Sequence, residues 1–425
     1  MKKSWFTATL LILILVLASV SFAASSNNKK DSFVFNPFQS VFDQIFFYIG
    51  QYYLYDIDLG KCQYQLLGQL SPIKQEDQKE KNECLDKYSR YDNPEDAKAM
   101  RSRYSSHFGG ISIELKEENN GVVVKKVKEN GPAEKAGIKD GDIIIQIRKE
   151  NGEVTQVKNI QSAIENIRGP VDTNIFITIK RGQEILEFEV VRKDVKTPSV
   201  GKKLFSQTGY VYIPIFGDDT ADDLEEVLRS FQNNGINRVV IDLRHNPGGE
   251  LNSALEILYY FSKKDSDILL KIRSKNSELF HTIKSLSGSF VNPKTKQIKS
   301  PGEFSGMKIV ILTSRASASA SEVIAGTLQD WGYKVIGETS FGKGVGQSVF
   351  PLLDGSSFSL TTFEFLVGNS LRRVHGIGIK PDIEIKWEKK SGQIDEDFIE
   401  EYINSFSDPL KDPQLMKAIG ELNKL

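Results

Sequence analysis

Three serines on alternate residues, Ser317, Ser319 and Ser321, follow directly on the strand-like run MKIVILTS. Ser319 stands three residues before Glu322, the spacing of a capping box, which reads as a helix start. A strand-to-helix turn is also where hydrolases expose a serine, with helix N-terminal amides facing an oxyanion. The Gly-x-Ser-x-Gly signature of the usual elbow is absent, so position alone leaves both readings standing. A nucleophilic serine needs a nearby base. Of the four histidines only His245 lies beside a plausible site turn, NPGG. The other candidate is Lys343, held between Gly342 and Gly344 in GETSFGKGVGQ, provided that burial lowers its pKa by several units. The same run meets most of a phosphate-binding loop. However, Gly344 stands where a Ser or Thr would hold magnesium, and the residues that follow read as strands, so nucleotide binding is set aside.

These residues need a frame, and the pattern after Pro198 supplies an α/β one. GYVYIPIF and INRVVIDLR read as strands, as do MKIVILTS and KVIGE. Amphipathic helices separate them, carrying Leu224, Val227, Leu228 and Phe231, then LNSALEILYYF, then SASEVIAGTLQDW. Alternating strands and helices predict parallel pairs with helices packed on the sheet, and chemistry at strand ends that feed helices. NPGG and RASASAS both fall at such ends. VGQSVFPLLDG and SSFSLTTFEF alternate as further strands. Near the C-terminus Asp412 can cap a last helix and Pro413 can occupy its first turn.

Residues 104–195 have a different texture, with short β runs, glycine turns and two short helical segments. The run GPAEKAGIKDGDII, residues 131–144, resembles a PDZ domain. That resemblance implies capture of a partner's C-terminal tail as an added strand, its carboxylate on backbone amides of Gly109, Gly110, Ile111 and Ser112. The alternative is that these glycines only make a turn. Ahead of this unit, Phe35, Phe38, Phe42, Ile45 and Phe46 recur at helical spacing. Their aromatic density suits self-association into a homodimer and an intradomain core about equally. The charged run 74–83 reads as a solvated segment.

At 425 residues the chain has room for several domains, and 39% hydrophobic with 26% charged residues is ordinary for a globular protein. A net charge of -1 gives no electrostatic case for nucleic acid. Lys2 and Lys3, the apolar run 10–18 and Ser21-Phe22-Ala23 read as a signal peptide over 1–23, hence export to the periplasm or another extracytoplasmic face. In an exported protein Cys62 and Cys84 suggest one disulfide, worth about 3 kcal/mol in the chain-entropy model. The histidines and cysteines show no metal-ligand spacing, so no metal or cofactor is expected.

Several long runs then occur in one order: LDKYSRYDNPEDAK, the PDZ motif, VIDLRHNPGGEL, SASASEVIAGTLQDWG, GETSFGKGVGQ and HGIGIKPDI. Together they resemble the carboxyl-terminal processing proteases, serine endopeptidases that use a Ser–Lys dyad without a metal. The resemblance implies Ser319 as nucleophile, Lys343 as general base and Gln347 as the residue that orients the lysine amine. It further implies an oxyanion hole from the amides of Ala320 and a glycine of the Asn-Pro-Gly-Gly turn, Gly248, with Asp330 in a supporting place. Three features depart from the family pattern: a Ser319–Lys343 spacing one residue shorter, Gly346 in place of an apolar residue, and the cysteine-bearing segment 62–84. The expected organisation is a signal peptide (1–23), an N-terminal helical region (24–103), a PDZ domain (104–195), an α/β peptidase core (196–392) and a helical C-terminal segment (393–425). The expected function is cleavage of proteins with accessible C-terminal tails. The alternative is an inactive PDZ scaffold that binds such tails.

Overall fold

The computed structural model describes residues 41–59, 84–118, 121–196, 198–293, 296–386 and 411–425. The signal-peptide reading, the first residues of the aromatic helix, the charged run 74–83 and Cys62 lie outside them. Cys84 is disulfide-bonded. The eight helices described are α1 (Val41–Tyr52), α2 (Pro94–Tyr104), α3 (Pro132–Ala136), α4 (Ile160–Ile167), α5 (Thr220–Asn233), α6 (Leu251–Phe261), α7 (Ala320–Asp330) and α8 (Pro413–Leu422).

The NPGG and RASASAS turns sit on a six-stranded sheet. Its order is Gly201–Phe205, Thr208–Tyr212, Arg238–Asp242, Lys308–Thr313, Lys334–Gly337 and Ile383–Glu384. The first pair is antiparallel and the others are parallel. Val239, Ile241, Ile309, Ile311 and Val335 point from one face into a core closed by apolar residues of α5, α6 and α7. Tyr210, Val240, Val310, Leu312 and Ile336 point the other way, onto Leu415, Ala418 and Leu422 of α8. This alternation is what a strand buried on both faces requires.

Helix α8 is fixed by charge as well as by packing. Asp412 caps it, accepting from Leu415 N at 2.9 Å, and its other oxygen meets the fully buried Arg244 at 2.7 Å. Arg244 also pairs with Asp242 at 2.5 Å, so the residue opening the NPGG turn is tied to both strand and helix. The strand expected over GYVYIPIF ends at Tyr212, and Pro214 lies in the turn beyond it, since proline cannot donate to a ladder.

A second sheet, antiparallel, is built on Ser357–Val367. It carries Arg90–Asp92, Ile268–Ser274, Glu278–Thr282 and Val345–Pro351. Ile45 and Ile49 of α1 are buried against Leu352, Phe358 and Leu360 of this sheet. Between Arg90–Asp92 and the α/β core in sequence comes a separate six-stranded unit, ordered Ile113–Glu118, Gly121–Val127, Ile143–Lys149, Asn174–Arg181 and Glu184–Val191, with Val154–Gln156 beside Ile143–Lys149. It has its own apolar core. Gly131 and Pro132 start α3, and Gly137, at φ 98°, ends it with a left-handed cap. Chain entry and exit of this unit pair with each other, His107–Gly110 against Lys193–Lys196.

Candidate active site

Two turns leave the carboxyl ends of adjacent parallel strands and meet. Leu243 N bonds Leu312 O at 3.0 Å and Ala318 N bonds Asn246 O at 3.0 Å. Ser317 Oγ donates to Leu243 O at 2.8 Å and Ser321 Oγ to Asn246 O at 2.9 Å. The outer two serines of the alternating run are therefore stitching, which leaves Ser319 between them as the one free to act.

Ser319 is the N-cap of α7, with φ 56° and ψ −117°. This conformation is strained for a residue with a side chain and persists only when its surroundings over-determine it. Glu322 is the main restraint. Its buried carboxylate accepts from Ser319 N (2.9 Å), Ser340 Oγ (2.6 Å), Gly342 N (2.6 Å) and Lys343 N (2.8 Å). The capping-box spacing is present, but the same glutamate also grips the lysine loop. Burial raises its pKa against those four hydrogen bonds.

Ser319, Ala320, Lys343 and Gln347 line one cleft of about 420 Å³, together with Gly249, Leu251, Val323, Phe363 and Phe365. His245 is not among the lining residues. Lys343 Nζ donates to Gln347 Oε1 at 2.7 Å. Its pKa is lowered by burial first and by the Arg90 charge second, against smaller opposing effects of Asp86 and Glu322. The amide of Gln347 brings a hydrogen bond without a charge that would hold the proton on the amine. Among the described residues no hydrogen bond joins Lys343 Nζ to Ser319 Oγ.

The glycine turn closes on the serine. Gly248 (φ 103°) lies so near that an added Cβ would stand 2.7 Å from Ser319 Cβ, and one on Gly249 (φ 139°) would stand 2.0 Å from Phe216 O. Gly248 N donates to Asn246 Oδ1 at 2.8 Å, whereas Gly249 lines the cleft. Ala320 N, at the start of α7, lies 3.0 Å from the position of a Gly248 Cβ. Asp330 is at the opposite end of α7, where its carboxylate accepts from Ser370 N at 3.1 Å; it supports a turn rather than the cleft.

The predicted tail-binding loop is placed on the other unit. Gly109 O accepts from Gly169 N at 3.0 Å, Ile111 is buried with its carbonyl on Ala133 N at 3.1 Å, and Ser112 has φ 61° with its carbonyl on Lys128 N at 3.0 Å. An added Cβ on Gly109 would meet Gly169 O at 2.2 Å, so this glycine also serves close packing. Gly110 ends the strand that leads into the loop. The strand that follows, Ile113–Glu118, is a sheet edge facing α4, with Ile160 N on Glu117 Oε2 at 3.2 Å. An unpaired edge beside a helix is the geometry that strand addition needs.

The residues that sequence reasoning passed over are those that act through others. Glu322 reads in the sequence only as a cap, Asn246 stands inside the glycine turn, Thr361 lies in the strand that also carries Phe363, and Asp86 and Tyr88 lie far from Ser319 and Lys343 in sequence. Tyr88 places its ring 5.1 Å from Lys343 Nζ.

Comparison with known proteins agrees with this architecture. Residues 207–385 match the model of peptidase family S41, and residues 109–191 match a PDZ domain. The carboxy-terminal processing protease CtpB of Bacillus subtilis is 34% identical over 308 residues, covering 71% of this chain and 60% of that protein. A CtpA-like serine protease of Staphylococcus aureus strain N315 is 32% identical over 304 residues, covering 71% and 58%. The chain thus spans about three fifths of the length of these relatives. Among solved structures, the photosystem II D1 C-terminal processing protease aligns over 81% of this chain and 92% of its own, at 21% identity and a TM-score of 0.43. Residues 207–385 are thus a peptidase family S41 domain, with a PDZ domain ahead of it.

Proposed function

We propose that this chain is an exported serine endopeptidase that captures C-terminal tails of proteins through its PDZ domain and cleaves them with Ser319 and Lys343. One observation carries the reading. A strained serine at a helix N-terminus shares a cleft with a lysine whose pKa is depressed and whose amine is held by an amide, not a carboxylate.

The chemistry follows from those positions. Neutral Lys343 takes the Ser319 Oγ proton as Oγ attacks the substrate carbonyl, and the C=O electron pair moves onto oxygen. Ala320 N–H and an amide of the glycine turn stabilise that oxyanion, with Gly249 facing the cleft and Gly248 beside it. The lysine ammonium, still donating to Gln347, returns its proton to the leaving amine. Water then hydrolyses the acyl-enzyme by the same base. The apolar wall of Leu251, Val323, Phe363 and Phe365 suits an uncharged side chain at the cut.

The signal-like start and the disulfide at Cys84 support export. A tail-binding scaffold without turnover is the second reading, and the absent Ser319–Lys343 hydrogen bond favours it. Hydrolysis of a denatured protein separates the two. Ser319→Ala and Lys343→Ala should each abolish turnover while circular dichroism stays native, and retained turnover in either purified variant removes the mechanism.

A further inference from the structure

The hydrogen bonds of Lys343 do not end at Gln347. Gln347 Nε2 donates to Thr361 Oγ1 at 3.1 Å, across the paired strands Val345–Pro351 and Ser357–Val367. Thr361 Oγ1 in turn donates to Asp86 Oδ2 at 2.8 Å. Asp86 belongs to the arm ahead of the PDZ domain and is itself fixed. Its Oδ1 accepts from Ser89 N (3.0 Å) and Ser89 Oγ (2.6 Å), and its backbone N–H donates to Tyr53 Oη at 2.6 Å. Backbone bonds hold the same junction, with Leu54 N on Thr361 O and Thr361 N on Ser89 Oγ, both at 3.0 Å.

The order of donors along this chain has a consequence for the base. An amide can present either its oxygen or its NH2 group to a neighbour, and an ionised carboxylate only accepts. Asp86 therefore claims the single hydroxyl proton of Thr361. Thr361 Oγ1 can then only accept from Gln347, which must give it Nε2 and turn Oε1 toward Lys343. A neutral amine has two N–H donors and one lone pair. Donating one N–H to Oε1 leaves the lone pair for the Ser319 proton. With the amide reversed, Nε2–H would occupy that lone pair and the amine could not act as a base.

We propose that Asp86 is a positioning residue for the reaction: acting through Thr361 and Gln347, it sets the hydrogen-bond direction that leaves the Lys343 lone pair open to the Ser319 proton. The proposal rests on the Ser–Lys reading above and extends it to a residue of the N-terminal arm. The charged and titratable groups facing Lys343 are Asp86, Tyr88 and Arg90 from that arm and Glu322 from α7.

The test uses the whole chain and fluorescently labelled casein as substrate. Asp86→Asn and Thr361→Val should each lower kcat at least about tenfold, a fraction of the full value of general-base catalysis, with KM little changed. Thr361→Ser, which keeps the hydroxyl, should restore most of kcat. The pH profile of kcat/KM separates direction from charge. Asp86→Asn removes a charge that raises the Lys343 pKa, so its base limb should move to lower pH, while Thr361→Val should leave the limb in place. If Asp86→Asn does not fold, the Thr361→Val and Thr361→Ser pair decides alone. Wild-type kcat in Thr361→Val, or a Thr361→Ser variant no better than Thr361→Val, overturns the proposal. Ser319→Ala run alongside keeps the two readings distinct, because its residual turnover would sink the dyad itself rather than its orientation.

Discussion

The peptidase domain draws two lysines out of water and treats them in opposite ways. Lys299 is buried with Asp222 at 2.5 Å, Glu225 at 2.9 Å and Glu256 at 2.5 Å, and it donates to Tyr260 Oη at 2.8 Å. Burial works to lower its pKa, but the hydrogen bonds to Asp222, Glu256 and Glu225 outweigh that and raise it. Lys343 has an amide at 2.7 Å and an aromatic face, and its pKa falls. Burial alone therefore does not make a base. The ligands of the amine decide whether removal from water locks the proton on or pushes it off.

The sharpest way to break the comparison is to give Lys343 the environment of Lys299. Gln347→Glu places a carboxylate where the amide oxygen stands. The Lys343 pKa should rise, and turnover at neutral pH should fall by about 10²-fold or more, the value of a general base. Because the lysine remains, activity should recover as pH rises toward its new pKa. A flat pH profile with native activity would show that the identity of the partner is immaterial.

The reverse change should act on stability, not on chemistry. Lys299→Met leaves Asp222, Glu225 and Glu256 buried around an apolar side chain, a loss of about 3–5 kcal/mol for breaking a buried ionic cluster. Urea denaturation reads it directly. Turnover per folded molecule should match that of the native chain, because none of Asp222, Glu225, Glu256 and Lys299 lines the cleft. A large fall in kcat with unchanged stability would mean that the cluster is coupled to the site.

The two lysines also differ in how far the sequence discloses them. Lys343 is marked by its glycines and by the order of family-like runs around it, and the strand–turn–helix pattern at Ser319 follows from local periodicity. Lys299 sits in KQIKSPG, a polar stretch with no periodicity, and only the tertiary structure brings Asp222 and Glu256 to it. The Asp86 relay is hidden for the same reason: the side chains of Asp86 and Thr361 meet only because Arg90–Asp92 pairs with Ser357–Ser359 from the far end of the chain. The double duty of Glu322 is masked by a spacing that fits a purely local cap. The chain from α7 to the next strand is a tight turn at Gly332 (φ 91°), and both side chains still line one cleft.

The smallest effect is the most diagnostic of how the base is held. A lysine whose folded pKa lies below its unfolded value binds fewer protons when folded, so it destabilises the fold wherever the unfolded chain is protonated. That cost is fully present below the folded pKa, shrinks as pH rises, and is gone above the ordinary lysine value of about 10.4. Lys343→Met, close in length and uncharged, removes it. The variant should be inactive yet more stable than the native chain at pH 7, by about 1.4 kcal/mol for each pKa unit of depression. The advantage should fade when the melts are repeated near pH 10. For Lys299, whose pKa is raised, the sign reverses: its stabilisation is complete below the ordinary lysine pKa and is lost only as pH climbs through the folded one. Melting curves of Lys343→Met and the native chain across that range therefore test whether the cleft stores the strain of an uncharged amine. Equal stability at every pH would mean that Lys343 is solvated like any surface lysine.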